Sequence, residues 1–150
     1  MSTMKSQSSL WCINEQKGSD FYSLQVYTVK AANACATSKK KAKKVTSSTK
    51  YYVLPANNRK KTAYFKINVK KAKKQTLEIK YLASSNTYVR VTTYKGSKQV
   101  GYSMIWGGQG SKISYKSYSG KKVSWPKGTY YVKVETSDKL GNGTVGIKVK

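Results

Sequence analysis

The chain is predicted to fold as an all-β, antiparallel, jelly-roll-like β-sandwich of about eight short strands, and three observations predict it. From Lys50 onward, β-branched and aromatic residues alternate with polar ones at period two. Clusters of Lys, Gly, Ser and Asn interrupt the alternation at the spacing of short strands joined by turns. No stretch of that region carries an apolar stripe at helical spacing.

Alternation assigns each strand a buried face in turn. The first candidate, 50–54 "KYYVL", is short and aromatic. In 62–69 "TAYFKINV" it turns Phe65, Ile67 and Val69 inward, and in 76–82 "TLEIKYL" it turns Leu77, Ile79 and Tyr81 inward. The stretch 87–94 "TYVRVTTY" buries Val89 and Val91, and 99–106 "QVGYSMIW" is expected to bury Val100, Tyr102, Met104 and Trp106. A shorter run, 112–118 "KISYKSY", precedes a break at Pro126 and Gly128. Beyond it, 128–135 "GTYYVKVE" buries Tyr130, Val132 and Val134, and 143–149 "GTVGIKV" buries Val145, Ile147 and Val149. Each such side chain contributes on the order of 1.5 to 3 kcal/mol before ordering entropy is subtracted, which suffices for a small sandwich.

Residues 1–45 lack a sustained period and end in the solvated run "SKKKAKK". They are expected to be an irregular tail or leader, with the folded domain over 46–150. Within the tail, "FYSLQVYTVKAANACA" has the apolar patch and small residues of a secretory signal, but Gln25, Tyr27 and Lys30 interrupt it. Cys12 and Cys35 both precede the regular region, so neither the core nor a metal site is expected to depend on them. No stretch approaches the roughly 20 apolar residues of a spanning helix.

Thirty basic residues against five acidic ones give a formal net charge of +25. Only Arg59 and Arg90 are arginine. Bidentate reading of guanine edges favours the planar guanidinium, so sequence-specific nucleic-acid recognition is disfavoured, whereas attraction to polyanions in general is not. Histidine, the commonest general base and metal ligand, is absent. Glu15, Asp20, Glu78, Glu135 and Asp138 are scattered without acid/base or metal spacing. No enzyme and no cofactor is expected. The glycine-rich "IWGGQGSK" lacks Walker spacing and reads as a hairpin connection.

The segment from about 62 to 150 resembles the bacterial pre-peptidase C-terminal domain, a β-sandwich appended to secreted proteases and other extracellular proteins. "WPKGTYYVKVE" followed by "GNGTVGIKVK" is similar to the family's closing hairpin, and "AYFKINVKKAKKQTLEIKYLASSNTYVRVTTY" is similar to its opening strands. The resemblance implies a non-catalytic module outside the cell or on its surface. Members often place Asp just before the third of these strands; this chain has "SSN" at 84–86. With Asp138 and Asn142 of "SDKLGNG" the nearest alternative, the six to eight oxygen ligands of calcium are not assembled.

If every strand from 62 onward crosses the sandwich, successive connections alternate between its ends. The connections at 70–75, 95–98 and 119–127 then bring together Lys70, Lys71, Lys73, Lys74, Lys95, Lys98, Lys121, Lys122 and Lys127, leaving the other end nearly neutral. Lysine also blunts strand edges wherever strands end, so its abundance alone does not make a site. Tyr64, Tyr88, Tyr94 and Tyr131 fall on outward positions and are candidate contacts for sugar faces, although tyrosine also suits a sheet surface. The expected partner is an anionic or carbohydrate polymer of the cell envelope or extracellular matrix. The alternative is a nonspecific nucleic-acid binder, favoured by the interleaving of lysine with tyrosine.

Overall fold

The computed structural model describes residues 32–54, 62–117, 119–136 and 143–150, together with the backbone pairing of 9–15 and 22–28. Strands β1 (Ser9–Glu15) and β2 (Tyr22–Thr28) pair antiparallel with each other. The remaining strands are β3 (Ala32–Ala34), β4 (Lys43–Lys44), β5 (Lys50–Val53), β6 (Thr62–Val69), β7 (Thr76–Leu82), β8 (Tyr88–Lys95), β9 (Lys98–Trp106), β10 (Gly110–Ser114), β11 (Gly128–Thr136) and β12 (Thr144–Val149). They form two sheets, a first in the order β10-β7-β12-β5-β3 and a second in the order β4-β6-β11-β8-β9.

Strands β5 to β12 correspond to the eight predicted from alternation, except that the sixth runs Gly110–Ser114 and not 112–118, since Ser114 is the last residue paired with β7 and Lys116 makes only an isolated bridge to Lys122; their order is that of a jelly roll, consecutive strands passing from sheet to sheet except that β8 and β9 pair as a hairpin. That hairpin turns on Gly96 and Ser97, with Gly96 at φ 62°, where a side chain would be strained. The connection 107–109, predicted as a hairpin, instead hands the chain from the second sheet to the first. Gly107 is required there because a Cβ would collide with the Ser84 carbonyl oxygen. The predicted closing hairpin is likewise a crossover, since β11 and β12 lie in opposite sheets.

The sandwich reaches upstream of the boundary predicted at residue 46. Strands β3 and β4 add parallel to β5 and β6, covering one edge of each sheet, and Ala36, Ala42 and Val45 are buried. Strands of three and two residues are too short to show a period. Cys35, expected to lie in a loose segment, is half-buried against the core.

The core lies between the sheets and is built from the predicted inward positions of β6, β7, β8, β11 and β12, joined by Tyr52, Leu54, Ile113 and Trp125. Strand β9 is the exception. Tyr102, Met104 and Trp106 are exposed at 52%, 44% and 42%, while Ile105 is buried. Two features reverse the predicted face. A bulge opposite Thr93 and Tyr94 shifts the register, so that Val100 packs against the core as the extra residue. Beyond it the inward positions fall to Gly101, Ser103 and Ile105, where space is short: a Cβ on Gly101 would lie 2.6 Å from Ile113 Cγ2 of the facing sheet.

Candidate functional site

Antiparallel pairing fixes which connections share an end. Gly128, which opens β11, pairs with Val69, which closes β6, and Tyr130 pairs with Lys95 at the close of β8. The connections 70–75, 96–97 and 115–127 therefore emerge together. They carry seven of the nine lysines predicted for one end, and the flanking strand ends add Lys95 and Lys98; Lys95 is half-buried and the other eight are exposed.

This end is held by a tryptophan plug. Trp125 is 1% exposed, and its indole Nε1 donates to the Gln75 carbonyl at 2.8 Å. Its backbone exchanges hydrogen bonds with Lys73, at 2.8 and 3.2 Å, which ties the two long lysine-bearing connections together. The ring meets Tyr130 edge-on at 4.9 Å, and the Tyr130 hydroxyl donates to the Pro126 carbonyl at 2.6 Å. Because "VSW" at 123–125 plugs the end instead of crossing as a strand, Lys127 stays with the other eight. A cleft of about 220 Å3 opens beside the plug, lined in part by Lys74, Gln75, Lys122 and Lys150. Gln75 is buried there, and its Nε2 has no hydrogen-bond partner among the described residues. Sequence reasoning missed Lys116, which bridges to Lys122, and Lys150, whose backbone exchanges hydrogen bonds with Thr76.

At the opposite end, Ala83–Thr87 and Gly107–Gln109 are uncharged. The segments 55–61 and 137–142 lie outside the described residues. Asp138 and Asn142 lie outside the described residues.

All four candidate tyrosines share the outer face of the second sheet. Tyr131 pairs with Tyr94 on β8 and Lys66 on β6. Lys133 pairs with Tyr64 and Thr92, and Thr92 pairs in turn with Tyr102. Tyr88 stands beside Trp106, their ring centroids 4.9 Å apart. The reversed face of β9 thereby adds Tyr102, Met104 and Trp106 to the same surface. Cations interleave with the rings: Lys39 Nζ sits 4.5 Å from the Tyr131 centroid, and the Arg90 guanidinium 5.9 Å from that of Tyr88.

Burial pushes the Tyr130 phenol up to about 12, with the neighbouring Tyr115 adding to the rise, and burial also raises Tyr52. Lys133 is raised, chiefly by its hydrogen bond to Glu135, whose Oε1 lies 3.2 Å from Nζ. Among the described residues, no group of three His, Cys, Asp or Glu side chains could hold a metal ion. No helix among them is long and apolar enough to cross a membrane.

No protein-family model matches the chain, and no curated protein does. A solved structure does: the pre-peptidase C-terminal domain of collagenase from Bacillus anthracis, at a TM-score of 0.52 and 19% identity. The match covers 73% of this chain and 95% of that one. The two-sheet core and this likeness agree with the resemblance carried by "WPKGTYYVKVE" and the strands before it: the chain has a pre-peptidase C-terminal domain-like fold.

Proposed function

We propose that this chain is a non-catalytic module, secreted or held at the cell surface, that binds anionic envelope polymer or polysaccharide through its lysine-rich end. The observation that carries the reading is the convergence of Lys70, Lys71, Lys73, Lys74, Lys95, Lys98, Lys121, Lys122 and Lys127 on loops braced by Trp125. A concentrated patch draws in polyanions, whereas an even coat of charge chiefly keeps a protein soluble. Bracing lowers the ordering cost of binding. Lysine suits a polymer whose charges vary in spacing, because its ammonium is a mobile point charge. The outer face of the second sheet adjoins this end at Tyr131 and Tyr94, which offers ring faces to sugars of the same polymer.

The mixture of rings and cations on that face favours a second reading, a nonspecific binder of single-stranded nucleic acid, in which bases stack on the tyrosines. A binding panel at physiological salt separates the two. An acidic polysaccharide, a neutral one and single-stranded DNA are compared, each also at raised salt. The first reading predicts that the acidic polysaccharide is held and the neutral one is not, with DNA the weaker ligand. Tighter binding of DNA than of the acidic polysaccharide moves the conclusion to the second reading, and retention of neither overturns both.

A further inference from the structure

The first sheet bears a groove of about 470 Å3 on its outer face, away from the core. Two lines of register build it. In one, Gly110, Lys80, Gly146 and Tyr51 stand side by side on β10, β7, β12 and β5. In the next, Lys112, Glu78 and Lys148 follow on β10, β7 and β12. The three strand spacings from β10 to β5 span roughly 14 Å at about 4.8 Å each.

Glycine inside a central strand weakens it and marks a place of close approach. At Gly146 the approaching group is Tyr51: a Cβ there would lie 2.7 Å from its Cε1 and 3.1 Å from its Cδ1. The ring therefore rests on the glycine backbone as a half-buried platform beside the groove. Gly110 leaves the far side equally low, with the Ile79 carbonyl oxygen 3.1 Å from where its Cβ would stand. Charge follows the same geometry. Glu78 is paired with Lys148 at 3.4 Å, whereas Lys80 and Lys112 are exposed and have no acidic partner among the described residues.

We propose that this groove is a binding site for a short anionic saccharide. One sugar ring lies against Tyr51, its acidic group meets Lys80 and Lys112, and its hydroxyls reach the Glu78–Lys148 pair, which offers an acceptor and a donor side by side. The volume falls within the range of about 300 to 1,000 Å3 usual for small-molecule sites. None of the lining residues is among the nine lysines of the end, so this site stands or falls independently of the polymer reading.

The test is a titration of the isotope-labelled full chain, followed by amide chemical shifts, with a galacturonic acid trimer, a neutral galactose trimer and inorganic phosphate as probes. The acidic trimer is expected to move the amides of Tyr51, Gly110 and Gly146, while the neutral trimer and phosphate leave them in place. Paired Lys80→Gln and Lys112→Gln substitutions, which alter exposed side chains only, are expected to weaken binding about tenfold or more, and Tyr51→Ala to do the same. The site is overturned if the neutral trimer binds equally, if phosphate alone reproduces the shifts, or if the lysine variant binds as the parent does. It is also overturned if the shifts are confined to the loops at 70–75 and 119–127, an outcome that leaves the lysine-rich end intact as a reading.

Discussion

Trp125 occupies a position that alternation did not mark, because it lies in a connection and not on a strand face. It is nonetheless the largest fully buried side chain among the described residues, and its indole N–H is satisfied by the Gln75 carbonyl. Trp125→Ala is therefore expected to cost about 3 to 5 kcal/mol in urea denaturation, the range for losing a large buried aromatic. It is also expected to loosen the loops at 70–75 and 115–127 first, as read by amide hydrogen exchange. Tyr130 carries a pH signature. Its folded pKa of about 12 stands above the unfolded value of about 10, so its stabilisation is complete below pH 10 and is lost as pH rises through 12. Tyr130→Phe forfeits the bond to Pro126, about 1 kcal/mol at neutral pH. The stability gap between parent and variant is expected to narrow between pH 10 and 12; a gap constant across that window contradicts the assignment.

Strand β9 shows where sequence reasoning stops. Its two faces read Val100, Tyr102, Met104, Trp106 and Gly101, Ser103, Ile105, and bulk alone favours burying the first. Ile113 from the facing sheet and the bulge decide otherwise. Ile105→Ala is accordingly expected to cost about 2 to 5 kcal/mol, while Trp106→Ser and Tyr102→Ser stay within about 1 kcal/mol of the parent. Equal losses in chemical denaturation would restore the opposite face. The other predicted strands were legible because their apolar residues fall on one parity and their polar residues on the other, as in "TAYFKINV" and "GTYYVKVE". The ends to which the lysine-bearing connections go were legible too, since antiparallel crossing requires alternation. Strand order was not, and with it the grouping of Tyr64, Tyr88, Tyr94 and Tyr131, because adjacency of β11 to both β6 and β8 is set by sheet closure and not by any local pattern. The same limit hid the groove at Tyr51, whose neighbours Lys80 and Gly110 are distant in sequence.

At the scale of the whole molecule, the described charge is unevenly placed: lysines gather at one end, rings and cations share one outer face, and Ala83–Thr87 and Gly107–Gln109 at the other end are uncharged. A polymer bound by such an end releases counterions, so affinity is expected to fall as salt rises, and more steeply for the parent than for a variant stripped of end lysines. Position, and not net charge, is proposed to make the binding surface. The most direct measurement compares acidic-polysaccharide affinity in two variants that each remove four positive charges. One carries Lys70, Lys71, Lys73 and Lys74 all changed to Gln; the other carries Lys40, Lys41, Lys43 and Lys44 changed to Gln, exposed residues on and just before β4, which pairs with the middle of β6 and not with its lysine-rich end. Affinity is expected to fall about tenfold or more in the first and under about threefold in the second. Equal losses in the two, or undiminished binding in the first, contradict it.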